Sequence, residues 1–182
     1  MEARRIRSLI ERGFFKPGEP VELLGGQLIV AEPQGSRHFT AIRAVQEALR
    51  IAFGAGWDVR TQAPVALDEE SEPEPDVAVV PGGFRDYAGG HPSRPALVVE
   101  VSESSLAFDR AHKGSLYARG GVADYWIVNL VDRVLEVYRE PARDADAAFG
   151  WRYQSVAVHW PDGTVSPLGA PGALVRIYDL LP

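Results

Sequence analysis

The stretch that most constrains the fold is a strand–helix–strand pattern between residues 95 and 128. Residues 95–99 form an apolar run rich in β-branched side chains, which is typical of a strand buried on both faces. A helix is predicted from about 105 to 119, where a Gly-Gly pair ends it, and a second apolar strand is predicted over 125–128. This order predicts a βαβ-like core unit and an α/β fold.

Further elements are predicted on both sides of this unit. Two strand-like runs, 21–24 and 27–30, flank Gly25-Gly26 and predict a β-hairpin. Helices are predicted over 3–12 and 36–52, strands over 57–61, 64–67, 76–80, 134–138, 151–158 and 164–165, and a helical turn over 174–180. Because no repeat or long linker divides the chain, residues 1–182 are predicted to form a single domain.

The composition excludes several classes of protein and site. The chain has no cysteine, which excludes disulfides, thiolate zinc sites and cysteine nucleophiles. No apolar run approaches the roughly 20 residues of a membrane span, and the N-terminal segment lacks the apolar stretch of a signal peptide. We therefore expect no membrane association and a cytoplasmic location.

The net charge of −6 is concentrated in the middle of the chain, where residues 61–109 carry ten acidic and two basic side chains. This excess argues against broad non-specific binding of nucleic acid by the metal-free protein. Bound divalent cations would offset part of it, so a nucleic-acid enzyme stays open. The acidic run at 68–70 is equally typical of a solvated loop.

Two carboxylates in this acidic segment stand at strand ends. Asp76 begins one predicted strand, and Glu100 ends the apolar run of the next confident strand. A buried charge costs several kcal/mol unless it is paired or binds a metal. Two such carboxylates on neighbouring strands can share a divalent cation, and the Val101 carbonyl could add a third protein oxygen.

Lys113, in the helix that follows, permits two interpretations. Beside a cation site, its ammonium could hold a water and stabilise an oxyanion, which together with the two acids would suit metal-dependent phosphodiester hydrolysis. Alternatively, Asp109 precedes it by four residues, and the two could form a surface ion pair worth about 0.3–0.5 kcal/mol.

The motifs around these residues resemble a known family. They are Glu74-Pro75-Asp76-Val77-Ala78-Val79-Val80, Leu97-Val98-Val99-Glu100-Val101-Ser102, Asp109-Arg110 with Lys113 and Tyr117-Ala118, and Asp124-Tyr125-Trp126-Ile127-Val128. With the Val-Glu-Leu-Leu-Gly-Gly-Gln-Leu hairpin, they resemble the Uma-type family of bacterial proteins, described as restriction endonucleases, over roughly residues 8–180. That family is similar to the PD-(D/E)xK nuclease superfamily. The resemblance implies an α/β (α+β) restriction-endonuclease-like core, with a central mixed β-sheet flanked by helices and an N-terminal β-hairpin.

The resemblance also implies roles for individual residues. Asp76 and Glu100 correspond to the two metal-binding acids, and Glu22 in the hairpin to an acid near the metal. The lysine usually found two positions after the second acid is replaced by Ser102, and Lys113 supplies a lysine from the following helix. Auxiliary positions are His38 at the start of a helix, Gln62 on a strand toward the site, and Tyr117, which shares a helix face with Lys113 and is expected to pack beside the site.

The leading hypothesis is therefore an endonuclease that uses Mg²⁺, with Mn²⁺ as an alternative ion, to cut DNA. A homodimer is left open, because two-fold symmetry is common among oligomers. One competing hypothesis is a nuclease-like domain that binds nucleic acid or a partner protein without cutting, which the acidic middle of the chain favours. Another is a metal-dependent hydrolase of a small phosphoester.

Overall fold

A six-stranded mixed sheet lies at the centre of the part of the chain that the structure describes. The structure is a computed structural model and describes residues 21–30 and 34–182, so the helix predicted over 3–12 lies outside it. The strands are β3 (Trp57–Thr61), β4 (Val77–Pro81), β5 (Leu97–Ser102), β6 (Asp124–Asn129), β7 (Val134–Arg143) and β8 (Trp151–His159). They lie side by side in sequence order.

Only β5 and β6 run parallel among the neighbours in this sheet, and the other pairs are antiparallel. A parallel pair needs a crossover connection. Here the crossover is a helix over 106–119, named α2, with a short α-helical start at Leu106–Phe108, a π-helical turn at Asp109–Lys113 and an α-helical end at Gly114–Arg119. The predicted βαβ-like unit is therefore confirmed, and the π-turn within it was not predicted.

Helices cover the two faces of the sheet. One of them is α1 (Ser36–Phe53), which was predicted from its apolar side chains at three- and four-residue steps. The main core packs α1 against sheet residues that include Val99 and Val101, whereas Val98 packs with Tyr117 of α2 on the opposite face. Because successive side chains of a strand alternate between faces, Glu100 points to the α2 side. No helix in the described ranges combines the length and apolar character that crossing a membrane requires.

The predicted hairpin is present as β1 (Val21–Leu24) and β2 (Gln27–Val30). Its turn residues, Gly25 and Gly26, have φ values of 55° and 80°, the left-handed pair that a type I′ turn requires. The loop over 68–72 holds the hairpin through backbone bonds from Gly26 N–H to the Glu70 carbonyl at 2.7 Å and from Glu72 N–H to the Leu23 carbonyl at 2.8 Å.

The strand predicted over 64–67 is wrong. Pro64 has no N–H to give to a ladder, and the segment bonds to loops instead, with Val65 N–H donating to the Pro73 carbonyl and Ala66 N–H to the Pro92 carbonyl. The predicted turn near the C-terminus is present at Ile177–Leu180, after β9 (Thr164–Val165) and β10 (Val175–Arg176) pair with each other.

The hairpin turn yields a stability prediction. Gly25→Ala should destabilise the fold, because a left-handed alanine costs about 1–2 kcal/mol and its Cβ would also overlap the Phe149 ring. Gly121→Ala is the matched control, since Gly121 has a φ of 74° with open space around it. Urea unfolding should show the larger loss for Gly25→Ala, and Phe149→Ala should reduce that loss. Equal losses at both glycines would contradict the contact with Phe149.

Candidate active site

Two carboxylates meet at one end of the sheet. Asp76 directly precedes β4 and Glu100 lies near the end of β5. Because these strands are antiparallel neighbours, the two positions lie at the same end of the sheet. Asp76 Oδ2 accepts a hydrogen bond of 2.8 Å from the N–H of Val101, the residue after Glu100. Glu100 is only 3% exposed. The structure thus brings the two predicted acids together.

The hairpin brings a third carboxylate to the same place. Glu22 is the second residue of β1, and its Oε2 accepts a hydrogen bond of 3.2 Å from the backbone N–H of Glu74. Ser71 supports the turn through its Oγ, which accepts from Gly25 N–H at 3.1 Å and from Arg119 at 2.8 Å. The hairpin is therefore held both by the loop before β4 and by the end of α2.

Lys113 lies between two of these carboxylates. Its Nζ is 3.1 Å from Glu100 Oε1 and 3.2 Å from Glu22 Oε2, and the residue is only 8% exposed. Among the described residues, these two glutamates are its ion-pair partners, and Asp109 is not. The interpretation of Lys113 as half of a surface ion pair with Asp109 is therefore wrong.

Tyr117 contacts the same carboxylate from the next turn of α2. Its hydroxyl donates a hydrogen bond of 2.6 Å to Glu100 Oε1, the oxygen that Lys113 also contacts. Burial, and then the charge of Glu100, raise the pKa of Tyr117 well above its usual value. The hydroxyl therefore stays protonated and acts as a donor, so Tyr117 binds Glu100 directly as well as packing beside it.

Three polar side chains lie near Asp76 Oδ1, and two of them contact it directly. His38 Nε2, on the first turn of α1, lies 3.2 Å from Asp76 Oδ1. Gln34 Nε2 donates to the same oxygen at 3.3 Å, and Gln62 Nε2 donates to Gln34 Oε1 at 2.8 Å. The predicted His38 therefore contacts the Asp76 carboxylate directly. The predicted Gln62 reaches that carboxylate through Gln34, and its backbone N–H donates to the Asp76 carbonyl at 3.1 Å.

These side chains line one cavity of about 450 Å³. Asp76, Glu100 and Lys113 all face it, and so does Asp109. Ser102 does not take over the role of the missing lysine, because its hydroxyl donates a hydrogen bond of 2.6 Å to Asp109 Oδ2. Lys113, and not the residue two positions after Glu100, contacts the carboxylates of Glu22 and Glu100.

Burial dominates the electrostatics of the cavity. It raises the pKa of Glu100 well above 4.5, a shift that Lys113 opposes and that Asp76, Asp109 and Glu22 reinforce. Burial also raises the pKa of Glu74, with Glu22 adding to the effect. For Lys113, burial would lower the pKa, but the surrounding carboxylates, Glu100 first, outweigh it and raise the pKa, so the ammonium is charged at neutral pH.

The donor chemistry of the cavity fits a hard divalent cation. Carboxylates from Asp76, Glu100 and Glu22 converge there, and oxygen ligands are what Mg²⁺ and Mn²⁺ prefer. No group of three or more acidic or histidine side chains among the described residues is arranged to hold an ion as it stands. The ammonium of Lys113 provides a positive charge between Glu22 and Glu100.

Some site residues were not predicted from the sequence. Gln34 belongs to no motif, and the only signal was its place just before α1, near His38. Asp109 stood in a quoted motif, but the role considered for it was that of a surface partner for Lys113, because its 3% exposure could not be known from sequence. Glu74 lay within the quoted motif, two residues before Asp76, and that proximity was the available signal.

The raised pKa of Glu100 yields a prediction about stability and pH. The folded state binds the proton of the Glu100 carboxyl group more tightly than the unfolded chain does. Above about pH 4.5 the unfolded chain therefore releases this proton first. As a result, the contribution of Glu100 to the free energy of unfolding decreases as pH rises. In metal-free buffer, the stability of wild type minus that of Glu100→Gln should therefore decrease as pH rises above about 4.5.

Urea unfolding at a series of pH values measures this difference, with Glu47→Gln, an exposed glutamate of α1, as the control. The control difference should stay flat. A Glu100 difference that increased with pH would mean that pairing with Lys113 outweighs burial.

Comparison with known proteins identifies the family and the fold of this chain. The model of the Uma2 family, described as "Putative restriction endonuclease", matches residues 7–176. No curated protein matches the chain. The fold matches the crystal structure of a "putative nuclease belonging to DUF820" from Anabaena variabilis ATCC 29413, with a TM-score of 0.66 and 18% identity, covering 94% of this chain and 96% of that one. The predicted restriction-endonuclease-like core with its mixed sheet and hairpin is thereby confirmed, and the chain belongs to the Uma2 family.

Proposed function

We propose that this protein is a divalent-metal-dependent endonuclease that hydrolyses phosphodiester bonds in DNA. One observation carries the proposal: a buried lysine, Lys113, stands among the carboxylates of Glu22 and Glu100 in the cavity that Asp76 also lines. A domain that only binds a partner has no need for this set at a concave site. Family membership supports nuclease activity, while the metal and the DNA substrate are our proposal.

The residues would divide the work as follows. Asp76, Glu100 and Glu22 would hold the cation, with Mg²⁺ as the expected ion, Mn²⁺ as an alternative and the Val101 carbonyl as a further ligand. When bound, such a cation activates water for attack and neutralises charge on the phosphate. Lys113 would release one of its two glutamates and stabilise negative charge developing on the phosphate oxygens.

The neighbouring side chains would keep the acids in place. The Tyr117 hydroxyl fixes one oxygen of Glu100 at 2.6 Å, which leaves the other oxygen for a cation. The Val101 N–H fixes Asp76 Oδ2, and His38 contacts Oδ1, where it could also approach a phosphate. Donors that are already in position need no rearrangement during the reaction, which favours catalysis.

The proposal extends to the state of the protein. Six of the described strands form one continuous sheet with a hydrophobic core on each face, which supports a single domain over 1–182. One such site cuts one strand, so a two-fold homodimer would be needed for double-strand cleavage in a concerted event. We also propose that the protein acts in the cytoplasm, where the DNA of a bacterial cell is found.

A second candidate function is binding without cleavage. The observation that favours it is the ion pairing of Lys113, which satisfies Glu22 and Glu100 without any metal. A protein of this kind would bind nucleic acid or a partner protein and would show no metal-dependent chemistry. The two candidates are separated by the experiments below.

The first test is nicking of supercoiled plasmid with Mg²⁺ or Mn²⁺. Wild type should cut, whereas Asp76→Asn should lose activity because a neutral amide is a weak ligand for a hard cation. Asp162→Asn, at an exposed turn, is the matched control and should cut like wild type. Mn²⁺ should also raise the melting temperature of wild type through linkage, and raise that of Asp76→Asn less. Plasmid binding without cleavage would support the second candidate.

The second test concerns Lys113. Lys113→Ala should lower kcat by about 10²–10³-fold, because an electrostatic contact to the reacting group is removed. Lys113→Arg should not restore the rate fully, since the planar guanidinium is larger than an ammonium. Both variants should still bind Mn²⁺, measured by the shift in melting temperature. Full cleavage by folded Lys113→Ala would contradict a catalytic role.

A further inference from the structure

The π-helical turn at Asp109–Lys113 ends at the lysine of the proposed site. Its backbone N–H at Gly114 donates to the carbonyl of Asp109, five residues back, instead of four. Such turns insert one extra residue into a helix and occur often at functional sites. Because the turn ends at this lysine, the contacts that hold the turn in place also bear on the position of Lys113.

Asp109 is bonded from three directions. Its Oδ2 accepts hydrogen bonds of 2.6 Å from both the Ser102 and the Ser105 hydroxyls. Its backbone carbonyl also accepts from the Tyr125 hydroxyl of β6 at 3.1 Å. We name the set of Asp109 with Ser102 and Ser105 the serine clasp. It ties the start of the π-turn to the end of β5.

Gly114 fits the same arrangement. A Cβ at this position would lie 3.3 Å from the Asp109 carbonyl oxygen and 3.6 Å from the Tyr125 ring. The wide turn thus brings the Asp109 carbonyl close to the backbone of α2, and a residue without a side chain follows Lys113. The packing leaves little room for the turn to shift along the helix.

The extra residue determines where Lys113 points. Each residue of an α-helix turns by about 100°, so one inserted residue changes the phase between the parts of α2 before and after it. With the π-turn in place, Asp109 faces the end of β5 while Lys113 and Tyr117 both contact Glu100 Oε1. The serine side chains tie Asp109 to the end of β5, while Arg110 in the same turn pairs with Glu136 of β7.

We propose that Asp109 is a positioning residue that holds the Lys113 ammonium between Glu22 and Glu100, and that it does so by accepting hydrogen bonds in the serine clasp rather than through its charge. The effect on Lys113 is independent of activity, while its effect on cleavage rests on the proposed nuclease function. Ser102 then has a role in this chain: it anchors the helix that carries the lysine.

Two variants separate the clasp from the charge. Both serine hydroxyls donate to the same oxygen, so the amide oxygen of Asp109→Asn can accept both bonds while the charge is lost. The double variant Ser102→Ala/Ser105→Ala keeps the charge and loses both bonds. Ser115→Ala is the matched control, because Ser115 is a buried serine of α2 with two hydrogen bonds, to Trp151 and Phe149, outside the clasp.

The first measurement follows the ammonium itself. The chain has two lysines, Lys16 and Lys113, so ¹⁵Nζ-labelled lysine gives at most two ammonium signals in NMR, and Lys113→Arg assigns them. A buried, paired ammonium exchanges its protons slowly, so Lys113 should give a protected signal. We expect this signal to keep its shift and protection in Asp109→Asn and Ser115→Ala, and to lose them in the double variant.

The second measurement is plasmid cleavage by the same proteins. The double variant should lower kcat by about 10²-fold with little change in KM, the cost expected when a catalytic group is displaced by about 1 Å. Asp109→Asn should stay within a few-fold of wild type. Absence of cleavage by wild type would refute the nuclease function, while the NMR pattern would still decide the positioning role.

The NMR signal of the Lys113 ammonium defines which outcomes overturn the proposal. Its loss in Asp109→Asn would mean that the charge of Asp109 holds Lys113, and its persistence in the double variant would mean that the clasp does not. A wild-type protein without a protected Lys113 signal would also overturn it. If the double variant fails to fold, Ser102→Ala alone serves, and an unchanged signal there and in Asp109→Leu would overturn the proposal.

Discussion

The ion pairing of the buried Lys113 ammonium is the interaction on which the rest of the structure depends. Three carboxylates in one cavity would repel one another, and burying a charge without a partner costs several kcal/mol. Lys113 compensates for this by pairing with Glu22 and Glu100. Both partners are nearly enclosed, so the pair cannot be treated as an exposed ion pair worth a fraction of a kcal/mol. The hairpin, β5 and α2 must all be in place before it forms.

A buried ion pair of this kind is a weak source of net stability, because desolvation offsets most of the attraction. Its value is better understood as specificity, since it fixes the hairpin and α2 relative to the sheet. The same carboxylates are suited to a divalent cation, and the ammonium and a cation would compete for them. In the metal-free protein, these carboxylates are therefore paired with a group that, in the proposed function, also takes part in the reaction.

Much of the fold could be predicted from local patterns, and part of the site as well. The Gly-Gly pair determined the hairpin turn, and the apolar runs determined β4, β5 and β6. Asp76 and Glu100 were found because a carboxylate beside a buried strand needs a partner. The segment 64–67 was misassigned, since a short apolar run does not show whether a neighbouring strand is available. Asp109 was misinterpreted, since spacing of four residues says nothing about burial.

The sequence by itself determined most of the strands and helices and which acids stand at strand ends, because these depend on periodicity and on chain neighbours. Only the tertiary structure decided that Lys113 contacts Glu22, 91 positions away, and that Asp109 bonds to serines instead of to the lysine. The physical reason is that side-chain pairing in a cavity depends on distances between elements. Those distances are set by packing on both faces of the sheet and by one extra residue in a helical turn.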